Sequence, residues 1–476
     1  MKQSVSSLSP LPQVLALAAV ALLSGCAALQ PPAAADVAPI PTTAASAVQL
    51  GTSSATATPR AEAAWWSRFG DPLLPTLVDE ALRANPQSTS AQAALRQARA
   101  LRDLAASGLY PNVGASASAG RSRARNVSGN QFQAGFDAAW EPDLFGRTRA
   151  GVTAAEADVA ASALSLADVQ VSLAAEVAAD LITLRGLQAR LAIAQANLAS
   201  QQETFQIAQW RLQAGLATSL EAEQARAAVE QTQAQIPALQ LSLTQFASAL
   251  AVLTGRPPGL PELERAAPIP AAPADLAQSL PTDTLRQRPD VRAAEARVRA
   301  ALARITQADA ARYPTFRLSG SLGLSALTVG GLTGPGAVVS SLLAGLSLPV
   351  FDAGAIDAQV RSQQAAAQQS GANLQAVALN ALKEVEDALV EVRSSRERQA
   401  TLGRAAEAAA NAALLATQQY GGGLVDFQTV LQTQRTQLAL QDNLAAAQAD
   451  TAVAHVRLYK ALGGGWQPDD TAMATP

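Results

Sequence analysis

Few side chains in this sequence could take part in chemistry. There is one cysteine, Cys26, and one histidine, His455. A lone imidazole between Ala454 and Val456 has no second histidine or thiolate with which to hold a metal, and neither a nucleophile elbow nor a phosphate-cradling loop occurs elsewhere. His455 therefore reads as a structural residue, and the sequence offers no active site, no metal site and no cofactor site. It does not read as an enzyme. What remains is covalent attachment at the single thiol and electrostatics at isolated carboxylates. Asp426 stands out among the latter, because it follows the glycine run Gly421-Gly422-Gly423, where a turn between helices would leave it at a helix N-terminus.

The surroundings of Cys26 say what its chemistry would be. The chain opens with Lys2 and an apolar run from Val14 to Leu23, the form of a secretory signal and too short for a mature spanning helix. Leu23-Ser24-Gly25-Cys26 resembles the lipobox at which bacterial signal peptidase II cuts, which would make Cys26 the acylated, palmitate-bearing first residue of the mature chain. The alternative is an ordinary signal peptide followed by an incidental cysteine. Resemblance to sorted lipoproteins, with Ala27 and not Asp after the cysteine, implies the outer membrane. Residues 1–25 are thus a signal peptide, and 26–64, rich in Ala, Pro, Thr and Ser, a lipidated tether. The covalent lipid is the only non-protein group expected.

The elements that would carry the remaining residues come in two copies. Leu82, Pro86 and Tyr110-Pro111 match Leu285, Pro289 and Tyr313-Pro314 at an offset of 203, whereas Gly215-Leu216 and Gly255 match Gly423-Leu424 and Gly463 at an offset of 208. An insertion of five residues must lie between the two matched blocks. So long a period marks a duplicated unit and not a solenoid. The halves are 65–255 and 282–463, separated by a Pro-rich linker at 256–281 and followed by a loose tail at 464–476.

The 476 residues are 49% hydrophobic but only 4% aromatic, an alanine-rich composition suited to closely packed helices. A net charge of −3 argues against a nucleic-acid partner. No proline falls between Pro142 and Pro237 or between Pro349 and Pro468, which predicts helices from Arg147 to about Ala214 and from about Ala355 to Gln419, each about 100 Å long. A glycine turn and a returning helix of roughly 38 residues follow in each half, and a helix of about 28 residues over 82–109 precedes. The two shorter helices sum to the length of the long one, which predicts that they stack end to end against it. Pro237 predicts a kink. No uninterrupted apolar run of about 20 residues follows the signal, so no membrane-spanning helix is expected.

Between the first and long helices of each half the period changes to two. Val113, Ala115, Ala117 and Ala119 alternate with small polar residues, as do Phe132, Ala134, Phe136, Ala138 and Trp140. Phe316, Leu318, Leu322 and Leu324, then Leu342, Ala344, Leu346 and Leu348, repeat the pattern. These are four strands of about ten residues, long enough to cross a membrane at a tilt, with Tyr110, Trp140, Tyr313 and Phe351 at their ends. A soluble hairpin pair is the alternative. Four strands cannot close in lipid, so copies must share a barrel, eight-stranded for a dimer or twelve-stranded with a lumen for a trimer. Arg121, Arg123 and Arg125 fall in the first hairpin loop on this reading, where they would meet lipopolysaccharide phosphates or water.

Seven blocks together resemble the outer-membrane factors, the TolC/NodT-type lipoproteins of tripartite efflux. They are Trp65-Trp66-Ser67-Arg68-Phe69-Gly70-Asp71-Pro72, Asn85-Pro86, Tyr110-Pro111, Glu141-Pro142-Asp143-Leu144-Phe145-Gly146, Arg288-Pro289-Asp290, Pro349-Val350-Phe351-Asp352-Ala353-Gly354 and Gly423-Leu424-Val425-Asp426. The resemblance implies a mainly α fold with a membrane β-barrel: a homotrimer with a twelve-stranded barrel, four strands per chain, continuous with a helical tunnel through the periplasm. It implies a passive exit duct for small toxic compounds, docked to a periplasmic membrane-fusion adaptor and an inner-membrane transporter of RND, MFS or ABC type. The docking residues it implies are Ala214, Gly215, Leu216, Ala217 and Thr218 in the first half and Gly422, Gly423, Leu424 and Val425 in the second; the bland alternative makes the glycines turn residues only. In a trimer Asp426 would form a ring of three carboxylates at a constriction, besides capping its helix. A conduit for type I polypeptide secretion and a periplasmic coiled-coil scaffold are the competing readings.

Overall fold

The computed structural model describes residues 64–124, 127–272, 287–464 and 466. The signal, Cys26 and its tether, Arg125, the end of the Pro-rich linker and the tail past Trp466 lie outside the described residues. The helices longer than one turn are α1 (Leu73–Ala84), α2 (Pro86–Ser107), α3 (Arg147–Gln213), α4 (Ser219–Leu253), α5 (Pro289–Asp309), α6 (Ala355–Gly421) and α7 (Phe427–Ala461). The strands are β1 (Asn112–Ala124), β2 (Val127–Trp140), β3 (Thr315–Ala326) and β4 (Val338–Ser347). Helices α3 and α6 are both 67 residues long and α4 and α7 both 35, so the proline gaps located the helices and only the returning pair is shorter than expected.

One expectation needs correcting. The single helix over 82–109 is two helices, because Asn85 adopts an extended backbone (ψ 132°) before Pro86, as a residue before proline prefers. Asn85 Oδ1 then accepts from Gln87 N at 2.7 Å, restarting the helix with proline in its first position. Helix α4 is continuous through Pro237, whose ring is exposed. It is also long and apolar enough by length and composition to cross a membrane, because its interspersed Gln, Ser and Thr do not outweigh the Ala and Leu. Ala225 and Ala228 of this helix are buried against α3 and α7.

Contacts divide the chain into two units, and each takes part of both halves. One contains Arg96–Ala161 and Ala294–Leu374. Its four strands form an antiparallel meander in the order β1-β2-β3-β4. The register puts Val113, Ala115, Ala117 and Ala119 level with Ala138, Phe136, Ala134 and Phe132, and these with Gly320, Leu322, Leu324 and Ala326. That face is apolar. The other carries Ser116, Asp137, Arg317, Ser321 and Ser341, with Ser116 Oγ donating to Asp137 Oδ2 at 2.8 Å and the hydroxyls of Ser321 and Ser341 2.8 Å apart. At the strand ends that join the helices, Trp140 Nε1 donates to the Leu109 carbonyl (3.0 Å) and Phe145 stacks on Tyr313 (5.2 Å). At the opposite ends β1 and β2 are separated by only two residues, whereas β3 and β4 are joined through a 3-10 turn at Val329–Thr333. Pro142 and Pro349 are offset by 207, so four of the five extra residues fall within this second hairpin and the fifth between it and the long helix.

The second unit holds Ser162–Ala293 and Gln375–Pro476 with the described residues up to Leu95. Its core gathers Trp65, Phe69, Leu74, Leu77 and Val78 against Leu181, Ile182, Leu184 and Leu250, with Trp65 stacked 4.8 Å from Tyr459. Asp71 and Arg185 form an ion pair at 2.9 Å with each side chain 2% exposed. Such burial is tolerable because nothing is left unpaired. Arg185 also donates to Gln188 Oε1 and the Arg265 carbonyl, while Asp71 accepts from Leu73 N.

Candidate functional site

The two glycine turns are near-copies of each other. Leu216 N donates to the Arg211 carbonyl (2.8 Å) and Gly215 N to that of Leu212 (3.0 Å); Leu424 N donates to Gln419 (2.9 Å) and Gly423 N to Tyr420 (3.1 Å). This six-to-one plus five-to-two pattern satisfies the last carbonyls of α3 and α6 and requires a left-handed residue, supplied by Gly215 (φ 70°) and Gly423 (φ 72°). A Cβ at either would meet no atom within 4 Å. Conformation, not crowding, is therefore what asks for glycine within the chain, and the space in front of both turns is open.

Of the residues singled out from the sequence, Ala214, Gly215, Leu216, Thr218, Gly422, Gly423, Leu424 and Asp426 are exposed, and Ala217 and Val425 half-buried. Leu216 and Leu424 are each 78% exposed. The helices restart on side-chain caps. Thr218 Oγ1 accepts from Glu221 N (3.3 Å), and Asp426 Oδ1 from Thr429 N (2.8 Å) and the Thr429 hydroxyl (2.6 Å). Asp426 is thus a helix cap, and the Thr429 hydroxyl, followed by the Thr429 amide, holds its carboxyl below the usual carboxylate range. It is ionised at neutral pH, whereas the equivalent Thr218 carries no charge.

The turns are brought together by residues that the sequence did not flag. Phe427, buried, packs with Leu431 of its own helix, Ala208 of α3 and Ala225 and Ala228 of α4, with Phe205 and Tyr420 beside them. The Arg211 guanidinium lies 4.2 Å from the Tyr420 ring centre, a cation–π contact that ties the end of α3 to the end of α6. Farther along, polar bonds tie α3 to α7: Thr204 to Gln434, Asn197 to Gln441 and a bidentate Arg190–Asp442 pair at 2.7 and 3.0 Å. A cleft of about 340 Å³ lined by Gln201, Gln231, Thr232, Arg435, Asp442 and Asn443 opens beside this ladder.

His455 sits where a structural residue would. It is buried, with Nε2 2.7 Å from Arg396 Nη2 and Nδ1 2.6 Å from the Thr451 carbonyl. Burial chiefly, with the neighbouring guanidinium, pushes its pKa down, so the neutral ring donates from Nδ1 and accepts from Arg396. Two carboxyls are shifted the other way. Asp168 is raised by burial and then by Asp290, although Arg288 and Lys460 oppose this; Asp180 is pushed up to about 6 by burial and then by Glu176. Among the described residues no group of His, Cys, Asp and Glu is arranged to hold a metal ion.

Comparison with known proteins decides what these parts compose. A family model described as outer membrane efflux protein matches residues 77–256 and 280–464. The chain belongs to the outer membrane efflux protein family. It is 30% identical to nodulation protein T of Rhizobium leguminosarum bv. trifolii over 420 residues, covering 85% of this chain and 88% of that one. It is 32% identical to the toluene efflux pump outer membrane protein TtgI of Pseudomonas putida, covering 94% and 97%. Among solved structures the outer-membrane channel OprN superposes with a TM-score of 0.81 at 35% identity, covering 86% of this chain and 93% of that one. The efflux channel is an outer-membrane component and not an enzyme, as the residues led one to expect. Its fold is that of channels built from a helical barrel and a β-barrel, so the strands are membrane strands and the sheet's two faces are a lipid face and a lumen face.

Proposed function

We propose that three copies of this chain close one twelve-stranded barrel and one helical tunnel, forming a passive exit duct for small toxic compounds. The sheet carries this reading. It has an apolar face, a polar face and two edge strands, β1 and β4, with no partner beyond them among the described residues. In hydrocarbon an open edge is forbidden, so the edges must meet those of neighbouring copies, and twelve strands leave the lumen that eight would fill with side chains. Exposed apolar side chains along the helices, among them Leu241, Val252, Leu379 and Val390, supply the surface on which neighbours would pack.

The turns dock a periplasmic adaptor that links the duct to an inner-membrane transporter. Support comes from Leu216 and Leu424, held forward by turns whose glycines have open space before them. Three ionised Asp426 carboxylates make the entrance prefer cations. Acylated Cys26 adds a lipid anchor, on the support of Leu23-Ser24-Gly25-Cys26 alone. The relative named for toluene efflux favours a small organic cargo over a polypeptide.

Single-channel conductance of the detergent-extracted protein, recorded alongside its mass by light scattering, tests the proposal. A trimer giving small cation-preferring events supports it. A monomer that conducts nothing overturns it.

A further inference from the structure

The two hairpins end differently, and the first ends in charge on the lipid face. Arg121 and Arg123 continue the alternation of Val113, Ala115, Ala117 and Ala119 along β1, level with Asn130 and Ser128 of β2. They lie in the strand and not in the loop assigned from the sequence, because β1 runs to Ala124 and leaves only two residues for the turn. Both are exposed. No Asp or Glu occurs between Tyr110 and Phe136, and Asp137 is on the lumen face.

Depth follows from strand geometry. Trp140 and Phe132 bound the apolar stretch of β2, eight residues or roughly 26 Å apart along the strand, which a tilt near 40° reduces to about 20 Å of height. Phe132 is level with Ala119, so Arg121 and Arg123 occupy the next two places outward, at the edge of an apolar band of about 25 Å and just past it. This end is the hairpin end, remote from the helix-joined ends within the same unit, and so faces the outer leaflet. Two arginines on one face, their Cα atoms about 7 Å apart along the strand, present two guanidinium forks suited to phosphate oxygens. The second hairpin lacks such a pair: no Lys or Arg stands between Arg317 and Arg361, and its end shows the exposed Leu327 and Val329.

We infer that Arg121 and Arg123 form a binding site for the phosphorylated glucosamine headgroup of the outer-leaflet glycolipid, lipid A, once per chain at the first hairpin only. This rests on the barrel reading above. Native mass spectrometry of the purified channel titrated with diphosphoryl lipid A tests it. The R121Q/R123Q variant is expected to retain the lipid about tenfold less tightly, R317Q on the lumen face as tightly as the parent, and dephosphorylated lipid A is expected to bind all three weakly. Equal retention by the double variant, or of the dephosphorylated lipid, overturns the site; equal binding of phosphatidylglycerol overturns its assignment to the glycolipid. Conductance is recorded on the same preparations. Conducting channels with unchanged lipid retention remove the arginine site alone, whereas a parent protein that does not conduct removes the barrel reading beneath it.

Discussion

Where the first helices of each half meet the end of the returning helix, the two copies make the same bond with different chemistry. Asn85 Nδ2 donates to the Leu253 carbonyl at 2.9 Å, and Arg288 Nη1 to the Ala461 carbonyl at 2.8 Å. Leu253 and Ala461 are equivalent at the offset of 208, and Asn85 and Arg288 at 203. The guanidinium has donors to spare and spends them on Asp290 (3.0 and 2.7 Å) and Glu384 (2.8 Å). The neutral amide makes this one donation, and its Oδ1 accepts from Gln87 N in place of any ion pair. Glu176, the counterpart of Glu384, has no ion-pair partner among the described residues and lies near enough to Asp180 to help raise its pKa. Duplication kept the hydrogen bond that closes the joint and let the charge around it diverge.

The largest effect that would sharpen this contrast is at Arg288. Replacing it with Ala strands Asp290 and Glu384 and the Ala461 carbonyl; the loss should be about 3 kcal/mol, less than for a fully buried pair because Glu384 is half exposed. Asn85→Ala removes neutral bonds and should cost about 1–2 kcal/mol. Equal losses in thermal unfolding would break the comparison. At the turns the halves should behave alike in stability and in function. Gly215→Val and Gly423→Val each force a branched residue into positive φ, at about 1–2 kcal/mol each, while both should lower drug resistance with assembly intact. Unchanged resistance would leave the glycines as turn residues only.

A smaller effect separates Asp426 from Thr218. Asn caps a helix about as well as Asp, so Asp426→Asn should leave stability nearly unchanged while reducing cation preference, read as a moved reversal potential. Since the folded-state pKa of Asp426 is depressed, its charge and the associated stability are present above the ordinary value of 3.8 and lost only as pH falls through the lower folded value. A reversal potential that does not move would sink the ring of charge. The smallest effect is at Asp180. Its pKa is raised from 3.8 to about 6, so folding favours the protonated acid, the penalty is absent below 3.8 and complete above about 6. Asp180→Asn should therefore raise Tm at pH 7.5 by on the order of 1–2 °C and change nothing at pH 3.5. A rise that persists at pH 3.5 would assign the effect to packing.

Much of the fold was legible because two signals are long-ranged in the sequence itself. Proline gaps delimit α3 and α6, and alternation over β1 to β4 separates lipid face from lumen face without any three-dimensional information. Short-range punctuation misled: Pro86 begins α2 instead of interrupting a longer helix, and a two-residue turn left no loop for Arg121 and Arg123. Tertiary partners were not legible. Asp71 stood in a quoted block, but nothing nearby announces Arg185, 114 positions on. At the turns, Gly215, Gly423 and Asp426 were visible as punctuation, whereas Phe427, Tyr420 and Arg211 owe their roles to packing between four helices.

The middle seam of the sheet has a consequence for assembly kinetics. Strand β2, the last of the first hairpin, pairs directly with β3, the first of the second, with Gly135 opposite Gly323 where a Cβ would come within 2.7 Å of the facing strand. In a closed trimer, β4 of one chain would meet β1 of the next across a seam of the same last-to-first kind. Every chain thus arrives with one seam already made for each that it must find. A single-hairpin ancestor would need six bodies to close the ring, and its rate of closure would fall steeply on dilution. The fused chain needs three, because tethering turns half of the encounters into events within one molecule at high effective concentration. A protein secreted at low abundance can then complete a pore that its unfused halves would reach only when plentiful.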